Sequence, residues 1–202
     1  MKKIQNYYSV CRPAQARIEI NKSRFLGLVY PVRDEKGAKG ILEMLQEEYQ
    51  DASHICYAYR VLKGGEEIFK TYDAGEPNFT AGKPMLNAIL GQKVGNVLVV
   101  VVRWFGGIKL GKANLARAYR QAAEEVLESA EKEETQVTGQ LQLCFDAGQF
   151  NAVSAVLKKN RARIVSKLFK TDWQLTAEAP VEKLDHIKDL LLKKNSGRIK
   201  IY

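Results

Sequence analysis

Five residues in the first part of the chain carry side chains suited to chemistry: His54, Asp73, Glu76, Lys83 and Arg103. In Asp73-Ala-Gly-Glu76-Pro77 two carboxylates lie three residues apart. A carboxylate so placed can act as a general base, or it can accept backbone N–H bonds within a turn. Arg103 ends the otherwise apolar run Val97–Val102, beside Trp104 and Phe105. A guanidinium there can hold an anion at the carboxyl edge of a strand, or it can pair with Asp73 or Glu76 and tie the loops together. His54 follows a serine on a strand-like stretch. No Ser or Cys nucleophile is evidently tied to it, so a hydrogen-bonded structural role competes with a catalytic one. Thr80 and Lys83 stand in Thr80-Ala-Gly-Lys83-Pro84 at the start of a helix pattern, where a lysine meets an anion or simply solvent. No residue is assigned a catalytic role, no cofactor is implied, and no metal-ligand set is present in the pattern.

A glycine-rich stretch follows Arg103. Gly106-GIKL-Gly111-Lys112-Ala113 falls one residue short of the phosphate-loop pattern G-x-x-x-x-G-K-[ST]. A hydrophobic strand precedes it and a helix follows, as a phosphate loop requires. Ala113, however, occupies the place of the hydroxyl that holds Mg²⁺, and no other apolar strand ends in the Asp that would complete a metal site. The match is read as coincidental, with Lys112 a bystander. Gly106 and Gly107 allow a turn that side chains would obstruct.

These residues need elements to position them. Over residues 1–134 the pattern is α/β: one or two strands in residues 17–32, and a helix over 36–49 with Ile41, Leu42, Leu45 and Tyr49 as its apolar stripe. A hairpin around Gly64-Gly65, a helix over 83–90, the strand 97–102 and a helix over 114–130 follow. The charged stretch 128–136 reads as a helix end that separates two differently organised halves.

Residues 135–202 read β-α-β-β-α-β, a ferredoxin-like split βαβ unit with both helices on one sheet face. Alternation assigns Val137, Leu141, Leu143, Phe145, Ile164 and Leu168 to the helix side. Arg161, Arg163 and Lys167 then face outward, joined by Arg198, Lys200 and Tyr202 from the last strand. The expectation is a polar, basic open face with one aromatic at its edge. It has the geometry of an RNA-facing sheet without the paired stacking aromatics of an RRM, so structural or protein-docking roles stay open beside nucleic-acid contact.

Charge supports that division. Residues 1–134 carry 20 Lys+Arg against 17 Asp+Glu (+3), and residues 135–202 carry 12 against 6 (+6), which sum to the net +9. Such a segment suggests an anionic partner, nucleic acid first, although solubility accounts for it equally well. The three cysteines, Cys11, Cys56 and Cys144, are scattered, with no C-x-x-C pair and two histidines in all. That argues against a zinc site and a disulfide framework and fits a reducing cytosol. The start lacks the apolar run of a secretory signal, and Val97–Val102 is far shorter than the roughly 20 residues of a membrane helix. A cytoplasmic protein is expected.

Taken together, Ser53-His54-Ile-Cys56-Tyr57-Ala58, Asp73-Ala-Gly-Glu76-Pro77, Thr80-Ala-Gly82-Lys83-Pro84-Met85-Leu86 and Val99-Val-Val-Val-Arg103-Trp-Phe-Gly106-Gly107 with Leu110-Gly111 resemble the IMPACT/YigZ family in content, order and spacing. The resemblance implies a first domain similar to a small-subunit ribosomal-protein domain and to domain IV of elongation factor G. It implies a ferredoxin-like second domain, and eukaryotic relatives that regulate translation by restraining an initiation-factor kinase. It brings no catalytic residues. The chain departs from the family pattern at Ala74, where a second Asp is usual, at Phe79, where Gly is usual, and at Lys112-Ala113-Asn114, in place of Thr-Gly-Gly.

The expected fold class is therefore α+β, an α/β sandwich with residues 1–134 as the family domain and 135–202 as the ferredoxin-like domain. The expected function is non-enzymatic: a translation-associated binding protein that contacts RNA, the ribosome or a translation factor. The alternative is a small enzyme or anionic small-molecule binder in which Asp73, Glu76, Lys83 and Arg103 converge on one cleft.

Overall fold

The computed structural model describes residues 6–63, 66–194 and 199–202. The turn expected at Gly64-Gly65 and the residue Arg198 lie outside the described residues. The architecture is mixed α/β with several sheets, and the chain divides into two compact units, residues 7–62 with 66–135 and residues 136–202.

In the first unit the strands are β1 (Asn6–Val10), β2 (Ala14–Ile20), β3 (Ser23–Pro31), β4 (His54–Lys63), β5 (Glu66–Tyr72), β6 (Val97–Trp104) and β7 (Lys132–Gln136). The helices are α1 (Glu35–Glu48), α2 (Gly82–Gly91) and α3 (Lys112–Ser129). Five strands form one sheet in the order β2-β3-β6-β4-β5. The central strand β6 explains its own sequence: VLVVVVRW is apolar nearly throughout because both of its faces are covered. Val97, Val99 and Val101 join the core under α2 and α3, while Leu98, Val100 and Val102 join the core under α1.

The stretch 17–32 is two strands. Ile20 pairs with Ser23 across a two-residue turn whose central residues, Asn21 and Lys22, have φ of 47° and 64°. That left-handed pair matches the twist of a tight hairpin, and it carries no glycine to announce it. The stretch 128–136 is not a helix end throughout. Helix α3 stops at Ser129, and residues 132–136 form β7, which pairs with β1. Nothing local in KEETQ specifies a strand; a partner some 120 residues away supplies its hydrogen bonds.

The second unit holds β8 (Thr138–Phe145), α4 (Phe150–Lys159), β9 (Arg163–Phe169), β10 (Trp173–Pro180), α5 (Val181–Lys194) and β11 (Lys200–Ile201). Its sheet runs β11-β8-β10-β9, and Leu141, Leu143, Phe145, Leu175 and Ala177 face the buried stripes of α4 and α5. One expectation fails here. Leu175 pairs with Lys167 and Trp173 with Phe169, but the register shifts between Thr176 and Ala177, so Ala177 pairs with Ile164 and Glu178 with Arg163. The bulge reverses the parity of β9 at its middle. Lys167 therefore lies on the helix side, and Leu168, opposite Gln174, lies on the open side. Strict alternation along β9 would have placed each on the other face. The open face is accordingly polar and near neutral: Gln142, Gln174, Thr176 and Ser166 beside Leu168, with Arg163 bound to Glu178 at 2.8 Å. Lys200 pairs with Cys144 on this face, and Tyr202 stands at its edge, 74% exposed. Arg161 is not in a strand; it closes the turn after α4 with φ of 58°.

Candidate functional site

The register of the five-stranded sheet puts Phe25, Arg103 and His54 side by side at the end of the α2/α3 face, one rung beyond the valines. Arg103 is 4% exposed. A buried guanidinium needs compensation, and the loops provide it. Its Nη1 donates to Glu76 Oε1 at 2.5 Å and its Nη2 to Ser23 Oγ at 3.4 Å. Its central carbon lies 5.4 Å from the ring centres of both Phe25 and Phe105, so the cation is held between two aromatic faces. Glu76 Oε1 also accepts the Tyr119 hydroxyl from α3 at 2.7 Å. The Cys56 thiol lies 3.4 Å from that hydroxyl and 3.1 Å from the Asp73 carbonyl oxygen. Burial pushes the Cys56 thiol up to about 12, only partly countered by the Tyr119 hydrogen bond. Burial likewise raises Tyr119. Neither is a nucleophile or a base near neutrality.

His54 Nδ1 lies 2.9 Å from the Ala74 carbonyl, which can only accept, so this nitrogen carries the proton. Its Nε2 lies 3.8 Å from Glu76 Oε1.

The turn that presents Glu76 is built by Asp73. One oxygen of that carboxylate accepts Ala81 N–H (3.0 Å) and Gly82 N–H (2.8 Å), and the other accepts Phe79 N–H (2.9 Å). Asp73 thus supplies the cap that Ala81, the residue before α2, cannot. Thr80 Oγ1 donates to the Pro77 carbonyl at 2.6 Å, and the Glu76 N–H bonds the Asp73 carbonyl at 2.9 Å. Ala74, Gly75 and Phe79 all have left-handed φ (48°, 84° and 66°). After Arg103 the chain turns through Gly106, whose N–H donates to Ser23 Oγ at 3.1 Å, and enters α3 through Gly107 and Gly111 at φ of 84° and 75°.

A cleft of about 350 Å³ opens beside this network, lined by His54, Glu76, Pro77, Arg103, Phe105, Lys109, Leu110, Gly111, Lys112 and Leu115. Of the four residues expected to converge, Asp73, Glu76, Lys83 and Arg103, only Glu76 and Arg103 line the cleft, together with His54 and Gly111 of the motif surface. Asp73 and Thr80 shape the turn instead, and Lys83 points from α2 without lining the cleft. Lys112, read from sequence as a bystander, lines it. Ser23 and Tyr119 were not legible as site residues. Ser23 is a lone hydroxyl in a strand, and Tyr119 looks like any member of the apolar stripe of α3. Only their tertiary partners give them a role.

Comparisons with known proteins identify the family. The family model described as "Impact N-terminal domain" matches residues 21–127, which include the four motif segments. A Haemophilus influenzae protein named "IMPACT family member" is 32% identical over 184 residues, covering 91% of this chain and 89% of its own. A yeast protein named "Protein IMPACT homolog" is 30% identical over 107 residues, covering 52% of this chain and 42% of its own. A solved structure described as that of a hypothetical protein superposes with a TM-score of 0.72 at 27% identity, covering 98% of this chain and 97% of its own. Family domain, motif order and whole-length similarity coincide, and the chain belongs to the IMPACT family.

Proposed function

We propose that this chain is a non-enzymatic, translation-associated binding protein of the cytoplasm, with residues 1–134 and 135–202 as its domains. In this reading the first domain resembles the ribosomal-protein and elongation factor G domain IV fold, and the second is ferredoxin-like. The observation that carries it is the saturation of the motif chemistry. Arg103 and Glu76 neutralise each other, Asp73 caps a helix, and the Cys56 thiol is held protonated. Side chains so committed shape a surface and leave no activated nucleophile. The motif resemblance, which implies translation regulators among the eukaryotic members, and the net charge of +9 both favour a partner in the translation machinery, RNA or ribosome included.

In this reading the basic contact includes the end of α4, where the exposed Lys158 and Lys159 precede the Arg161 turn. The test is cosedimentation of the full chain with ribosomes across a salt series. Binding at about 50 mM salt that falls steeply by about 200 mM, and that weakens in Lys158→Glu/Lys159→Glu/Arg161→Glu, is expected for a phosphate-contacting surface. No cosedimentation at low salt, or binding indifferent to salt and to the triple variant, removes the RNA component of the proposal.

A further inference from the structure

We propose that the cleft beside Arg103 is a binding site for a small organic phosphate monoester, held at the N-terminus of α3 without a metal ion.

Three features meet here: an uncapped helix N-terminus, two exposed lysines and a buried guanidinium nitrogen without a hydrogen-bond partner. The first turn of an α-helix presents N–H groups with no intrahelical acceptor. At α3 the preceding residue is Gly111, which has no side chain to cap them, and no acidic residue follows in the first turn. Lys109 and Lys112, both exposed, line the cleft around that terminus. Arg103 lines it as well, and its buried Nε has no hydrogen-bond partner.

The charge balance selects the ligand. Arg103 and Glu76 cancel, which leaves Lys109, Lys112 and the positive end of the α3 dipole. A phosphate monoester, close to dianionic at neutral pH, matches two lysines better than a carboxylate does. Lys112 sits where a cation opposes the helix dipole, so its placement works against stability and suits an anion that arrives from outside. Pro77, Phe105, Leu110 and Leu115 form the rest of the lining, a wall for an organic substituent. The volume of about 350 Å³ is at the small end of ligand cavities, room for one ring and a phosphate. Ala113 provides no hydroxyl for Mg²⁺, which is why the site is assigned to the ester alone.

The experiment is an amide-resolved NMR titration of the full chain with phenyl phosphate, inorganic phosphate and phenol. The expected result is saturable movement of the Phe105, Lys112, Ala113 and Asn114 amides, with phenyl phosphate at least about tenfold tighter than either fragment. Lys109→Gln/Lys112→Gln should weaken it at least about tenfold, each charge-assisted contact being lost, while Lys83→Gln leaves it unchanged. All three lysines are exposed, so the variants retain the fold, and unchanged amide positions elsewhere verify it. The proposal is overturned by absent or non-saturable shifts, by shifts centred on the α4 lysines, by phenyl phosphate binding no tighter than inorganic phosphate, or by a double variant that binds as well as the parent.

Discussion

Arg103 and Glu76 face each other at 2.5 Å with 5% of each side chain exposed, one at the end of the central strand and the other on the turn before α2. Removing one partner strands the other charge in a medium that solvates it poorly. Arg103→Met is expected to cost about 3–5 kcal/mol by urea denaturation. Arg103→Met/Glu76→Met should cost less than Arg103→Met alone, because apolar side chains of similar size replace both charges. A double variant as unstable as the sum of the two singles would mean that the pair contributes nothing beyond independent packing.

Stability should fall on the alkaline side. The Cys56 thiol is raised from 9.0 to about 12 and Tyr119 is raised also, both chiefly by burial. The sign follows from proton counts. Above about pH 9 the unfolded chain releases the thiol proton while the folded chain keeps it, so the unfolded state binds fewer protons and folding weakens. The contribution is full below pH 9.0 and is lost as pH rises toward 12, at about 1.4 kcal/mol per pH unit for each such group. Cys56→Ala should flatten the decline of the urea midpoint between about pH 9 and 11, independent of any effect at neutrality. A thiol reagent should modify exposed Cys11 in the native protein and reach Cys56 only on unfolding.

Gly106 is fixed by close approach. A Cβ there would collide with the Lys22 carbonyl and lie 2.5 Å from the Ser23 nitrogen, both backbone groups of the β2–β3 hairpin. Gly106→Ala is expected to cost about 3 kcal/mol, read as a lowered melting temperature with unchanged secondary structure.

Phe79 stands in the opposite condition. It holds φ of 66° and is 76% exposed. Phe79→Gly relieves a left-handed side chain that packs on little, and should raise stability by about 1 kcal/mol in chemical denaturation. A loss of stability would show that the ring is anchored.

Lys112 opposes the α3 dipole from the helix's first position. Lys112→Glu is expected to stabilise the fold by about 0.5 kcal/mol while abolishing phosphate-ester binding. Opposite signs in a melting experiment and in the titration would separate the two roles of this residue.

Much of the fold was legible because it rests on local periodicity. The apolar run Val97–Val102 named the central strand, and the spacing of Leu42 and Leu45 named α1. The β-α-β-β-α-β order of the second unit followed from alternation and amphipathicity. Four features escaped. The strand β1 was not expected, KEETQ became a strand through pairing with it, Asn21-Lys22 formed a tight turn without glycine, and a bulge opposite β10 flipped the faces of Lys167 and Leu168.

At the site the sequence by itself determined which residues matter as a set: His54, Asp73, Glu76, Arg103 and the glycines, with the family they resemble. What each one does was decided by tertiary structure. Asp73 and Glu76 are both carboxylates three residues apart, yet one caps a helix and the other balances a buried guanidinium. The difference lies in which backbone N–H groups and which cation the folded chain brings to each oxygen. Tyr119 joined the network only because α3 lays it over Glu76. Side-chain type sets what a residue can bind; the low dielectric and the partners assembled around it set what it does bind.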